Sequence, residues 1–361
     1  MTGISLGMVG TAKNTGKTTT TIALLNSFYD RGIPVGITSI GLDGETLDNV
    51  TGLPKPRLFV RKGVLVTTAE KCLALSSAAI KVLDRLDIRT PLGSLVCGRV
   101  EREGLVVLAG PPRSKNVRQV IEYLWRRGAL MVLVDGALNR FVPLAETDGL
   151  VLATGAAYSR ENAAVALNAG QLEMVCSEAM VIDPPERSTG HRTIIWDAAG
   201  QVLAETAGSL LVPEQLIPLA GQVQSARGFY SPGVVMAGCL KQLLQWPFPP
   251  ATTYIFSDPA KLIVGGNLET VTRFIETVAR RGGVVGYKKA LPLLAATVNP
   301  FYPNYRCDTH LYQPAYVDRE ELLRHVSAMV KAPVFDVAAG GGEGLAELLL
   351  ARLRGGQARM Q

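Results

Sequence analysis

The stretch Met8-Val-Gly-Thr-Ala-Lys-Asn-Thr-Gly-Lys-Thr-Thr19 decides the fold. A largely apolar run, residues 4–9, leads into it, and Ile22, Ala23, Leu24, Leu25 and Phe28 lead out at spacings that suit a packed helix. A strand, a glycine-bearing turn and a helix in that order make a phosphate-binding loop. Gly10 and Gly16 let the backbone close around an anion, so that successive N–H groups and the positive end of the helix face phosphate oxygens. Lys17 reaches the β- and γ-phosphates and the Thr18 hydroxyl is a ligand for Mg²⁺. Thr11, Lys13, Asn14, Thr15 and Thr19 complete the expected nucleotide-binding set. A charge-assisted contact of the Lys17 kind is worth roughly 1.5–3 kcal/mol, or about one to two orders of magnitude in affinity.

The loop is a variant. Five residues, Thr11 to Thr15, separate Gly10 from Gly16 where the strict pattern has four. In this it resembles the loops of dethiobiotin synthetase, the MinD-like ATPases and the Mur ligases more than those of Ras-like GTPases. The signature lysine of MinD-like loops would fall on Ala12, whereas the lysine here is Lys13.

Two acidic positions extend the pattern. Residues 34–40 read as a second strand that ends in Gly41-Leu-Asp-Gly-Glu45, a short acidic loop freed by two glycines. Asp43 and Glu45 are candidates for the Mg²⁺ shell or for orienting an attacking water. Further on, an apolar run ends in Asp135, the form of a Walker B strand whose carboxylate holds Mg²⁺. The catalytic candidates are therefore Lys17, Asp43 and Glu45, and the metal candidates Thr18, Asp43 and Asp135.

Composition limits the alternatives. The 361 residues are 47% hydrophobic and 19% charged, a balance that suits a folded protein with a large core. No apolar run reaches the ~18–20 residues of a membrane helix and the N-terminus lacks a signal-peptide design, so no membrane is expected and the cytoplasm is the expected location. Five scattered cysteines form no C-x-x-C pair, and three histidines fall in no metal-ligand spacing. The net charge of +6 is spread as doublets such as Arg126-Arg127 and Lys288-Lys289, which argues for solvated helix ends and against a nucleic-acid partner.

Strands and helices alternate along the chain, which predicts an α/β fold with a mostly parallel, P-loop NTPase-like sheet flanked by helices. Residues 1–175 read as the nucleotide-binding domain, 176–230 as an irregular transition with a hairpin, and 231–361 as a second α/β region. Within the first, the pattern predicts a strand pair over 57–60 and 63–68, a helix over 69–83, a hairpin of 92–100 with 104–109, and a helix that Ser114 caps and that runs to Arg127. Near the end, Pro300, Tyr302, Pro303 and Tyr305 read as an aromatic loop, and the Gly340-Gly-Gly342 cluster as a turn that starts a helix.

With these motifs in place, the segments Thr38-Ser-Ile-Gly-Leu-Asp-Gly-Glu45, Pro54-Lys-Pro-Arg57, Val134-Asp-Gly-Ala-Leu-Asn-Arg140, Leu152-Ala-Thr-Gly-Ala-Ala157, Val298-Asn-Pro300 and Pro333-Val-Phe-Asp-Val337 can be read together. They resemble the ATP-dependent reactivating proteins of adenosylcobalamin-dependent lysine 5,6- and ornithine 4,5-aminomutases. The resemblance implies ATP and Mg²⁺ as cofactors, and it implies as partners an aminomutase and a second reactivase subunit. ATP binding and hydrolysis would then drive release of a damaged cobalamin. A homo-oligomer is compatible with the sequence. Two other classes share the loop and carboxylates: a dethiobiotin-synthetase-like ligase or kinase acting on a small carboxylate, and a nucleotide-dependent assembly module that leaves ATP intact.

Overall fold

The structure is a computed structural model that describes residues 3–43, 58–136, 142–177, 180–185 and 192–358. The chain divides into two compact units, residues 1–169 with 293–361, and residues 170–292. It leaves the first unit within one helix and returns to it at Leu293.

The first unit is α/β, built on a large, mostly parallel mixed sheet flanked by helices. Its strands are β1 (Ile4–Gly10), β2 (Val35–Ser39), β3 (Leu65–Ala69), β4 (Ala79–Thr90), β5 (Gly93–Arg102), β6 (Met131–Asp135), β7 (Gly149–Gly155), β8 (Leu293–Asn299) and β9 (Val334–Phe335). Their order across the sheet is β9-β8-β7-β1-β6-β2-β3-β5-β4. Pairing is parallel from β9 through to β3 and antiparallel for β5 and β4.

The helices are α1 (Lys17–Asp30), α2 (Ser114–Arg126), α3 (Asn162–Ser177), α4 (Arg319–Met329) and α5 (Gly342–Ala358). Strand side chains alternate between the two faces of a sheet. Leu6 and Met8 of β1, Ile37 of β2 and Leu133 of β6 therefore share one face, where they form a buried cluster with Leu24, Leu25 and Phe28 of α1 and Leu345 and Leu349 of α5. On the other face, a Cβ at Gly36 of β2 would sit 3.1 Å from Leu124 of α2, so the glycine lets that helix lie close. Among the described residues no helix is long and apolar enough to cross a membrane.

Several elements differ from the sequence expectation. Helix over 69–83 is replaced by a short helix, Glu70–Leu75, and then by β4. Strand β4 pairs with β5 through a tight turn, where the Thr90 hydroxyl bonds the Gly93 carbonyl at 2.9 Å. Gly98 makes the approach feasible, since a Cβ there would lie 2.4 Å from Ile80. Residues 92–100 thus find their partner upstream. The expected 104–109 partner instead splits into Gly104–Leu105, paired with Phe59–Val60, and Leu108–Ala109, paired with Leu42–Asp43. Consequently Phe59–Val60 does not pair with β3. Ser114 is the first helical residue of α2, and the N-cap is Arg113. The expected aromatic loop is a β-hairpin, Phe301–Arg306 with Leu311–Tyr316.

The division of the chain also differs from the three expected regions. Residues 293–361 belong with the large sheet of the first unit, to which they add β8 and β9. The hairpin Arg192–Trp196 with Val202–Ala207, expected in a transition segment, forms one side of the second unit's own six-stranded sheet. The remaining strands, Met180–Val181, Val284–Tyr287, Thr253–Phe256 and Gly228–Ser231, run parallel. Phe229, Tyr254, Phe256 and Phe274 pack as tilted and edge-on ring pairs in its core, the geometry that ring quadrupoles favour.

Candidate functional site

The parallel register brings the candidate residues to one edge of the sheet. Met8 lies beside Asp135, Gly10 beside Ala153, and Gly155 beside Asn299. This is the C-terminal edge of the strands, where open α/β sheets bind ligands.

Residues 11–16 form a tight turn between β1 and α1. Asn14 and Gly16 both take left-handed backbone angles, φ 63° and 91°. Asparagine tolerates that region better than most residues and glycine enters it without penalty. A Cβ at Gly10 would lie 2.9 Å from the Thr15 hydroxyl and 3.3 Å from the Ala12 carbonyl, so only glycine keeps this curvature. Thr15 in turn donates to the Ala12 carbonyl at 2.9 Å. Gly16 is the N-cap of α1 and brings no side chain to cap it, and no acidic residue occupies the first turn. No acidic side chain of the first turn therefore offsets the positive end of the helix dipole, a setting that favours an anion.

Lys17 and Asp135 meet here. The Lys17 ammonium donates to Asp135 Oδ2 at 2.5 Å, with side-chain exposures of 18% and 8%. The lysine comes from the first turn of α1 and the carboxylate from the end of β6, adjacent to β1. Thr18 and Thr19 lie half-buried in the same helical turn, while Thr11 and Thr15 are buried and Lys13 is exposed. Thr11 is tied to Thr154 through a hydroxyl pair at 3.0 Å, and its amide donates to the Ala153 carbonyl at 3.0 Å.

The acidic loop after β2 is held rather than free at its start. Asp43 is described by its main chain, which pairs with Leu108, and the Gly41 carbonyl accepts from the Gly110 amide at 3.0 Å and from the Ser39 hydroxyl at 2.7 Å. Glu45 lies outside the described residues.

One contributor escaped sequence reasoning. Asn299, at the end of β8, donates through Nδ2 to the Asn14 carbonyl at 2.9 Å and accepts at Oδ1 from the Phe301 amide at 3.2 Å. Its own carbonyl accepts from the Ala156 amide at 2.9 Å, and a Cβ on Gly16 would sit 3.2 Å from its Cβ. Thr297 on the same strand pairs with Thr20 of α1 at 2.9 Å. The only sequence signal was the Val298-Asn-Pro300 triplet, which carried no assigned role.

Comparison with protein-family models, with curated proteins and with solved structures finds no match. The site must be read from its own geometry. That geometry combines a glycine-shaped turn, a helix N-terminus without a side-chain cap, one half-buried ammonium and one buried carboxylate, groups of the kind that a polyphosphate and its counter-ion require.

Proposed function

We propose that this chain is a P-loop ATPase whose phosphate loop, residues 10–19, holds Mg-ATP. The observation that carries the reading is the contact between Lys17, in the first turn of the helix that follows β1, and Asp135, at the end of the adjacent parallel strand. A lysine and a carboxylate meeting beside a glycine-shaped turn are the groups that phosphates and Mg²⁺ respectively require. The residues present fit such a loop: Gly10 and Gly16 let the turn curl against Thr15 and Asn299, which a Cβ at either position would crowd. In this reading Lys17 and the loop amides hold the phosphates, and the Thr18 hydroxyl and Asp135 hold the metal. Asp43 and Glu45 are the further acidic candidates for positioning water or metal. Mg²⁺ supplies neutralisation of phosphate charge when bound. Lys17 and Asp135 must part for each to take its new partner, so the nucleotide and metal are expected to bind together.

The test is thermal. A ligand at 100 times its dissociation constant adds about 2.7 kcal/mol to stability, so Mg-ATP is expected to raise the melting temperature of the wild type and not of Lys17→Ala. An equal rise in both proteins, or none in the wild type, would refute the assignment of the loop.

For the physiological task we propose reactivation of an adenosylcobalamin-dependent aminomutase, a reading that rests on the resemblance of the segments quoted above. Nucleotide can drive cofactor release only if its two states bind the mutase with different free energies. Incubating an inactivated aminomutase with this protein, a second reactivase subunit, Mg-ATP and fresh adenosylcobalamin is expected to restore activity, and Lys17→Ala to restore none. Failure of the complete mixture would set the repair role aside and leave the ATPase reading to the thermal test. Turnover with a small carboxylate metabolite alone would favour a ligase or kinase instead.

A further inference from the structure

In the second unit, the segment Trp246-Pro-Phe-Pro-Pro250 joins the helix Ala237–Gln245 to the strand Thr253–Phe256. Its three prolines fix φ and pre-set the shape of the loop. The loop is also pinned. The Phe248 amide donates to the Trp246 carbonyl at 2.8 Å, the Thr252 hydroxyl to the Pro249 carbonyl at 2.6 Å, and the Ala251 amide to the Arg281 carbonyl at 3.0 Å. Arg281, the C-cap of the helix Leu268–Arg280, returns the contact by donating through Nη2 to the Leu244 carbonyl at 2.9 Å. Between this loop and Arg281 lies a cavity of about 410 Å³, a volume within the range of small-molecule sites. Trp246 and Phe248 line it with ring centroids 6.3 Å apart, and Pro247 and Pro250 extend the apolar wall. Phe248 is itself held edge-on by the buried Tyr254 ring at 5.4 Å.

Charge selects the occupant. Arg281 is the only ionisable side chain in the cavity wall, and among the described residues no carboxylate pairs with it. Its neighbour Arg280 turns to the Thr277 hydroxyl of its own helix at 3.0 Å. Tyr254, beneath Phe248, stays neutral, because burial pushes its hydroxyl up against the pull of Arg281. A guanidinium carries five N–H donors, so a single bond to a carbonyl leaves its charge uncompensated and donors available to a carboxylate. One cation suits a monoanion. A polyphosphate or a nucleic-acid strand calls for several cations, and a neutral proline-rich segment would leave the guanidinium without a counter-charge. We propose that this cavity binds a small aromatic carboxylate, with its ring against Trp246 and Phe248 and its carboxylate on Arg281. Walls already fixed by proline lower the ordering cost of that contact.

Calorimetric titration of the full chain with cinnamate, and with its uncharged analogue cinnamamide, tests this. Nucleotide is left out, so the outcome is independent of the ATPase reading. The wild type is expected to bind cinnamate with a dissociation constant of about 1 mM and cinnamamide about 10-fold or more weakly, as loss of a charge-assisted pair implies. Arg281→Gln is expected to bind the two probes alike, at the strength of the amide. Trp246→Ala is expected to weaken both probes by about fivefold, the loss of one ring contact, and Arg280→Gln to leave both within about twofold. Far-ultraviolet circular dichroism checks that each variant keeps its fold. Should Arg281→Gln lose it, the preference of the wild type for the acid and its weakening in Trp246→Ala read the same site. A wild type that binds neither probe at about 10 mM, or both equally, overturns the proposal. So does an acid preference that survives Arg281→Gln, or an Arg280→Gln variant that is equally impaired. Displacement of cinnamate by an uncharged hexaproline peptide would assign the cavity to a proline-rich chain and overturn it as well.

Discussion

At the scale of single residues, burial sets which charges matter. The Lys17–Asp135 pair is largely shielded from water, where an ion pair is retained only with good geometry and where removing one partner strands the other. Asp258 presents the complementary case in the second unit. It is buried, and its Oδ1 caps the helix Pro259–Gly265 by accepting from the Lys261 amide at 3.2 Å. Burial pushes its carboxyl above the ordinary value of 3.8, against the pull of Lys261 and Lys289. A carboxyl raised in the folded state binds its proton more tightly there than in the unfolded chain. Its contribution to stability is thus fully present below the unfolded value and is lost as pH rises through the folded one. An asparagine side chain at this position would keep the capping oxygen and carry no charge, so Asp258→Asn is expected to melt higher than the wild type at neutral pH, with the gap closing as pH falls toward about 4. Asp258→Ala, which loses the cap as well as the charge, is expected to lie about 1 kcal/mol below Asp258→Asn at every pH. A gap between wild type and Asp258→Asn that does not change with pH would refute this account of the charge.

At the scale of elements, strand β8 links the turn of residues 11–16 to the aromatic hairpin through Asn299, which touches Asn14 on one side and Phe301 on the other. A hydrogen bond of this kind is worth about 1 kcal/mol net, or a factor of about five in an equilibrium. Asn299→Ala is expected to weaken Mg-ATP binding by about that factor in a calorimetric titration, with little change in secondary structure. Asn299→Asp keeps the acceptor for the Phe301 amide and loses the donor to Asn14, so an equal weakening in both variants would assign the effect to the Asn14 contact. Unchanged binding in both would show that the loop holds its shape without β8. The sequence made the strands and helix around the loop legible, β1, α1, β2 and β6, because local spacing and the glycine pattern specify them. It did not reveal that β8 adjoins β7 or that Asn299 reaches Asn14, since that contact spans 285 positions and leaves no local periodicity. The error over residues 69–83 has a related origin. Helix ends at Leu75, where the Ser76 hydroxyl turns back to the Cys72 carbonyl. The alternating run beyond it takes its strand character from pairing with β5, across the space that Gly98 leaves.

At the scale of the whole molecule, the first unit is discontinuous in sequence and the second is not. Residues 293–361 give the first unit β8, β9, α4 and α5, and Leu345 and Leu349 of α5 are buried against α1 and the sheet. The α1–α5 contact is further held by Glu343, which pairs with Arg31 and accepts from the Ser27 hydroxyl at 2.8 Å. Each fully buried leucine is worth roughly 1.5–3 kcal/mol, against a typical domain stability of about 5–15 kcal/mol. Losing two such leucines together with two sheet strands removes most of that margin. A chain truncated after Pro292 is therefore expected to lose the cooperative melting of the first unit and all stabilisation by Mg-ATP, although every residue of the proposed nucleotide loop, 10–19, remains. The contiguous fragment 170–292 carries its own six-stranded sheet and aromatic core, and is expected to fold and melt cooperatively by itself. Circular dichroism melts of the two fragments beside the full chain check both expectations. A truncated chain that still melts cooperatively with an Mg-ATP-dependent shift would mean that the nucleotide site is complete without its C-terminal strand, and that the return of the chain to the sheet serves another purpose.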